Sequence, residues 1–257
     1  MIRPSPLAYA QARLQARYGA RAPESVWQPL VATAEFRPFL EQARATPLRA
    51  WVTNVSPISP LHDMERLLRL ELARRTDEIA RWLPKEFQAA VDWTQRLIDL
   101  PAVDHLLKGA AALPWMLEEE HLKPIAAAEP ETRATILAHG ALAPLARGAG
   151  DLAAAWLLEW QRRLPRLARG ARRRLDGLID TVRAHRAAFA PPPVEEPALA
   201  RAAWELRRQL ERRAVRHFRA GFLEATAVFA YLLLQALEFE RVRGELVSRL
   251  LFAREAR

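Results

Sequence analysis

Cysteine is absent from all 257 residues. That excludes disulfides, thiolate nucleophiles and cysteine-ligated zinc, and it makes a reducing compartment, the cytoplasm, the natural expectation. Lysine is nearly absent as well: Lys85, Lys108 and Lys123 are the only three, so the net charge of +9 rests almost wholly on arginine. The chain has no glycine-rich phosphate loop, no G-x-S-x-G elbow and no H-E-x-x-H pair, which withdraws the usual grounds for proposing the common motif-bearing enzymes. The opening Met1-Ile2-Arg3-Pro4-Ser5-Pro6 lacks the apolar core of a secretory signal, so the chain is expected not to be exported. The longest apolar run, Ala225 to Leu237, is interrupted by Thr226 and Gln235. It falls short of the ~20 residues that cross a bilayer and is expected to be a buried core helix.

No stretch sustains the period-two alternation of a half-buried strand, whereas helical periodicity recurs throughout, so the expected fold class is all-α. With 51% apolar and 27% charged residues, the chain can bury a real core. A single domain over 1–257 is expected, with an internal boundary at 190–197, where Pro191-Pro192-Pro193 forms a stiff linker before a C-terminal helical hairpin. The first helix should run from Pro6 to Tyr18, ended by Gly19 at a C′ position. Short helices follow over Pro23 to Leu30 and Glu35 to Ala45.

Ser59 is placed to cap a long helix with Pro60 at its first position. Its apolar stripe is Leu61, Met64, Leu68, Leu72, Ile79 and Trp82, broken by Arg75. Further helices are expected from Pro84, with Phe87, Val91, Thr94 and Ile98 on one face, and from Pro101 to a stop at Gly109. Prolines 114, 124, 130 and 144 should break the middle into short helices and turns. Asp151 should cap a helix through Leu164, and Pro165 should either kink that helix or start a new one that runs to about Phe189. The closing pair is expected over Pro197 to Ala220 and Gly221 to Phe252. The pairs Glu35-Phe36, Glu86-Phe87 and Glu159-Trp160, each opening an apolar turn, hint at three degenerate repeats.

For chemistry, the best metal candidate is Glu118-x-x-His121, a carboxylate and an imidazole one helical turn apart. None of the other histidines has a carboxylate three residues earlier, so half of a di-metal site is missing and a solvated turn at 118–121 is the favoured reading. No metal or cofactor is assigned. His62-Asp63-x-Glu65 and Asp104-His105 read as helix N-terminal charge rather than acid/base pairs. Arg162, Arg166, Arg169 and Arg173 share one face by spacing. Arg207, Arg208, Arg212, Arg216 and Arg219 form a second basic band. Without an RNP, zinc-finger or KH signature, a solvated or partner-facing surface is favoured over a nucleic-acid groove. The eight tryptophans, including Trp27, Trp51, Trp82, Trp93 and Trp115, read as core and interhelix packing rather than a ligand cage.

The segment Val228 to Glu245, apolar around Tyr231 and then acidic and basic through Glu238, Glu240, Arg241 and Arg243, resembles the closing helix of one family of rotary-ATPase stalk proteins. That family comprises the d-type subunits of V-type ATPases and the C-type subunits of A-type ATPases. Near the front, Tyr9 to Arg17 is similar to the family's first helix, and Leu30 to Leu40 to its threonine-plus-aromatic repeat opener. The two matches occur in the family's order and cover about the first 50 and last 30 residues. What the resemblance implies is a funnel of helical hairpins with no catalytic role. Such a protein sits peripherally on the cytoplasmic face of the membrane ring of a rotary ATPase and joins it to the central stalk in ion transport. Tyr231, Glu238, Glu240, Arg241 and Arg243 are then packing and ion-pairing residues. The alternative is a helical protein-interaction or nucleic-acid-binding scaffold that uses the arginine faces.

Overall fold

The computed structural model describes residues 5–148, 150–188 and 196–255, and all regular structure among them is helical. The helices are α1 (Ala8–Gly19), α2 (Glu24–Ala32), α3 (Phe36–Arg44), α4 (Arg49–Val52), α5 (Leu61–Trp82), α6 (Lys85–Thr94) and α7 (Leu100–Leu107). After them come α8 (Lys123–Ala126), α9 (Arg133–His139), α10 (Leu152–Arg163), α11 (Arg169–Ala188), α12 (Glu196–Ala220) and α13 (Ala225–Glu255). The proline-rich middle is short helices and 3-10 turns, as its spacing predicts. Most of the linker expected at 190–197 lies outside the described residues.

Two units, each discontinuous in sequence, account for the chain. The first takes Met1–Arg21, Trp82–Pro84 and Pro165–Arg241, and the second takes Ala22–Arg81, Lys85–Leu164 and Val242–Arg257. In the first unit, α12 and α13 run antiparallel. Phe218 lies 6.0 Å from Tyr231, Arg241 stacks on Trp204, and Arg207 donates to the Leu237 carbonyl. Leu210, Ala214 and Phe218, four residues apart on α12, are buried against this pair. Tyr18 of α1 stacks on Phe218 at 4.8 Å, so the first helix and the closing hairpin share one aromatic column. On α13, every residue from Ala225 to Leu232 is buried, as expected for a core helix.

The second unit is tied by tryptophan and arginine. Trp93 of α6 donates its indole N–H to the Trp156 carbonyl at 3.0 Å, and Trp156 of α10 returns the bond to Trp93 at 3.1 Å. These reciprocal bonds satisfy both indole donors while the rings fill the core. Arg75 leaves the apolar stripe of α5 to lie over the Trp51 ring at 4.1 Å, and Thr76 takes its place inside, bonded back to the Leu72 carbonyl. Arg163 covers Trp93 in the same way.

Helix ends follow their sequence signals in part. Asp151 accepts from the Ala154 N–H at 2.9 Å and caps α10. Gly109, at φ 81°, closes α7 with bonds from its own N–H to Leu106 and from the Ala110 N–H to His105, a Schellman arrangement. Buried Arg133 then donates to the carbonyls of Leu106 and Ala110. Other expectations are corrected. Gly19 is the last residue of α1 and has no left-handed φ, because the chain leaves the helix through ordinary backbone at Ala20. Ser59 does not cap α5: its hydroxyl accepts from Ser56 in the preceding turn, and the Pro60 carbonyl takes the first helical bond from Met64. Glu159 and Trp160 lie near the end of α10 instead of opening a helix, so the third member of the supposed repeat is out of place.

Arg249 of α13 is the most heavily engaged side chain of the second unit. It donates to the carbonyls of Thr33 (2.8 Å), Leu30 (3.0 Å) and Val31 (3.2 Å), pairs with Glu245 at 2.7 Å, and stacks on Phe39 at 4.1 Å. These carbonyls lie at the C-terminal end of α2, where a cation is favourable, and the Leu30 carbonyl also accepts from the Thr33 N–H. Arg249→Met should lower unfolding free energy by ~3 kcal/mol, because Glu245 loses its guanidinium partner and the Val31 and Thr33 carbonyls lose the donor they share. Arg249→Lys should recover only a minor part, since an ammonium cannot reproduce the planar fork. Urea denaturation of the three proteins measures both effects.

Candidate functional site

Five residues of α13 carry the sequence expectation, and the structure does not gather them at one point. Tyr231 is buried in the aromatic column of the first unit. Glu238 is buried with the Arg21 Nε 3.8 Å away, and Arg21 also donates to Glu211 at 2.9 Å. Arg241 lies over Trp204, and Glu240 favours the charged form of Arg207 on α12. Arg243 belongs to the second unit, where its Nε donates to Glu65 at 2.6 Å. All five are packing or ion-pairing groups.

Arg243 enters the densest polar cluster of the second unit, one that reading the sequence missed. Glu65 accepts from Arg243 on one oxygen and from Arg69 on the other, at 2.7 Å. Arg69 then donates to Asp99 Oδ1 at 2.8 Å and to the Ile98 carbonyl at 3.1 Å, its plane 4.0 Å from the Trp115 ring centre. Asp99 Oδ2 lies 2.7 Å from His121 Nε2, and His121 Nδ1 lies 2.8 Å from Arg96 Nη1. A guanidinium can only donate, so Nδ1 is the bare nitrogen and Nε2 carries the hydrogen given to Asp99. With both ring nitrogens engaged and no hydroxyl in the cluster, His121 has no free position from which to take a proton from a substrate.

The segment 118–121 is a turn with Glu118 and Glu120 exposed, as expected, and it is His121 that departs from that reading. His121 is largely enclosed and serves Asp99, while half-exposed Glu118 turns to Arg66 at 2.7 Å. The two side chains of the suggested metal pair face different partners. The signal for the cluster was present in Glu65 and Arg69, a carboxylate and a guanidinium four residues apart beside Met64 and Leu68 on the stripe that had to be buried. Of the acid/base pairs considered, Asp63 does sit in the first turn of α5. Asp104 lies inside α7, paired with Lys108.

The arginine stripes are also redrawn. Arg162 ends α10 and Arg169 begins α11, with non-helical chain between them, so Arg162, Arg166, Arg169 and Arg173 share no single helix face. Arg207 turns inward, and burial lowers its pKa despite nearby Glu240 and Glu211. Arg208 and Arg212 are bridged by Glu205, while Arg216 and Arg219 are exposed with no carboxylate partner among the described residues. The two units differ in charge. The first holds 19 of the 39 basic residues against 9 of the 30 acidic ones, and the second holds 20 against 21. The whole net charge thus belongs to the first unit.

Two concave surfaces of the second unit are open to solvent. One is bounded by Asp77, Arg81, Gln88 and Asp92, another by Glu41, Arg44, Arg49 and Thr53. Burial, then the charge of Asp77, raises the Asp92 pKa. Among the described residues, no helix is long and apolar enough to cross a membrane, and no three His, Asp or Glu side chains converge as a metal site. Comparison with protein-family profiles and with curated protein sequences finds no match.

Two measurements test these assignments. Asp99→Ala should cost ~3 kcal/mol or more of stability, since Arg69 and His121 would lose their shared acceptor in the interior. In the first unit, burial and then Arg216 lower the pKa of His217, which lies 2.9 Å from the Thr181 hydroxyl. Burial, Arg207 and Arg213 lower that of His185. Both groups bind protons more readily unfolded than folded, so stability is fully present above the unfolded value of about 6.5 and falls as pH drops below it. Melting temperature should therefore decline below about pH 6.5, and His217→Gln should flatten that decline.

Proposed function

We propose that the chain is a non-catalytic adaptor subunit of a V/A-type rotary ATPase, linking the central stalk to the membrane ring and held to the membrane face through its partners. The observation that carries this reading is that α13, which holds the charged positions of the match, is bonded to the front part of the chain at or beside the other matching stretches. Tyr18, next to the Tyr9–Arg17 stretch, stacks in the column that ends on Tyr231. The Leu30–Leu40 stretch is held by Arg249, just beyond the matching part of α13, and Phe39 lies under its guanidinium. Glu238 and Arg243, the charged positions of the match, each meet a side chain more than 150 residues away in sequence. Segments that keep a family's order and also interlock in space support common architecture better than either match alone.

A protein that works by transmitting force needs packed helices and fixed registers rather than a reacting group, and the polar clusters here are of that kind. The test is affinity capture of the tagged full-length chain from detergent-solubilised membranes of its own cells. Subunits of a rotary ATPase should co-purify in fixed ratio. Recovery of the chain alone, from membranes in which that ATPase is present and assembled, would refute the assignment.

A second reading, a helical scaffold for an anionic macromolecule, is favoured by the confinement of positive charge to the first unit. It predicts association with polyanions that weakens steeply with salt.

A further inference from the structure

The turn between α12 and α13 presents an aromatic ring outward amid arginines, and the backbone is built to keep it there. Gly221 leaves α12, and a Cβ at that position would stand 2.7 Å from the Thr226 Cβ and 2.8 Å from the Ala227 nitrogen, so no larger residue fits. Leu223 adopts φ 62°, a left-handed conformation that a branched side chain adopts only when its surroundings impose it. The surroundings are on hand. The Leu223 N–H donates to Gln11 Oε1 at 3.2 Å, its carbonyl accepts from Ser5 Oγ at 3.4 Å, and Glu224 is clamped by Arg174 of α11. Between these fixed points Phe222 is 58% exposed.

The left-handed Leu223 and its tethers fix the backbone just after Phe222 and leave the ring in water. The flanks of the turn add a second observation. Arg219 precedes it in the last turn of α12, Arg216 lies one turn further back, and Arg173 is the chain neighbour of Arg174 on α11. All three are exposed and have no carboxylate partner among the described residues. Carboxylates elsewhere on this pair of helices are engaged: Glu205 with Arg208 and Arg212, Asp176 with Arg172, and Glu224 with Arg174.

We propose that this tip of the first unit docks on an anionic membrane surface, with Phe222 entering the headgroup and acyl boundary and Arg173, Arg216 and Arg219 contacting lipid phosphates. An exposed ring with exposed arginines on the helices that lead to it suits that surface on both counts: the ring gains by leaving water, and each cation gains in the negative surface potential. Nucleic acid would reward the arginines, but the structure offers it one ring rather than a row of stacking platforms. The inference stands on the turn and its arginines and does not rest on the rotary-ATPase reading.

Flotation of the purified full-length chain with phosphatidylcholine vesicles, with and without phosphatidylglycerol, tests it. The chain should float with the anionic vesicles and not with the neutral ones. Phe222→Ser should weaken partition roughly tenfold or more by removing the buried ring. Arg216→Gln with Arg219→Gln should weaken it by roughly 30-fold, about fivefold for each charge. Arg37→Gln, on the second unit, should change nothing. All altered side chains are exposed, and circular dichroism confirms that each variant is folded. Equal flotation of wild type and Phe222→Ser, or no flotation of the folded wild type, overturns the proposal. Salt-sensitive binding to oligonucleotides without binding to vesicles overturns it in favour of a nucleic-acid partner. Neither result bears on capture of a rotary ATPase, so the two readings fail separately.

Discussion

A guanidinium group removed from water must keep its N–H donors paired, and this fold meets that demand repeatedly by laying the plane on an aromatic ring and aiming its edges at oxygen. Arg249 does so over Phe39 with α2 carbonyls around its rim, and Arg69 does so over Trp115 with Glu65, Asp99 and Ile98. Arg75 on Trp51, Arg163 on Trp93 and Arg241 on Trp204 repeat the ring half of the pattern. Lysine cannot take this place, because its compact ammonium offers no plane to stack and binds water more strongly. At these stacked positions the preference for arginine over lysine is structural, whether or not the charge is used outside the protein.

That consequence explains which parts of the structure were legible. The all-helical class, the broken middle, the Asp151 cap and the Gly109 stop depend on neighbours within a few residues, and they appear where the sequence puts them. Burial of Trp27, Trp51, Trp93, Trp115 and Trp160 followed from their place on apolar faces, whereas Trp82, Trp156 and Trp204 are half-buried. Gly19 and Ser59 offered equally good local signals, but competing bonds in adjoining turns decided those ends differently. The Arg69 cluster is the opposite case, since its members come from α5, the turn before α7, the 118–121 segment and α13. No spacing rule joins Asp99 to His121, and only the tertiary fold brings them together.

The same distinction separates arginines that hold the fold from those available to a partner. Reading the stripes by spacing grouped Arg207 with Arg208, Arg212, Arg216 and Arg219. One turns inward, two are neutralised by Glu205, and two remain. What survives of the basic surface is smaller than the sequence suggested but better placed, since it collects in the unit that holds the entire net charge and flanks an exposed phenylalanine. Surface electrostatics governs association rather than fold, so these residual arginines are where an external partner should be sought.

Buried charge also fixes the register of α13 in a way its apolar stretch does not. Between Ala225 and Leu234 the helix presents small and leucine-like side chains on nearly every side, and such a surface discriminates weakly between positions one turn apart. A slip of one turn, about 5.4 Å, would carry Arg249 away from the Leu30, Val31 and Thr33 carbonyls and Arg243 away from Glu65. Buried Arg249 would lose its three carbonyl acceptors, at several kcal/mol, and Glu65 would lose one of its two guanidinium partners. Within the second unit, the end of α13 therefore has one seat, and its ion pairs enforce it. Rigidity of this kind suits a load-transmitting adaptor. It also accounts for how a helix that reads as a simple apolar core element comes to hold the charged residues on which the resemblance rests.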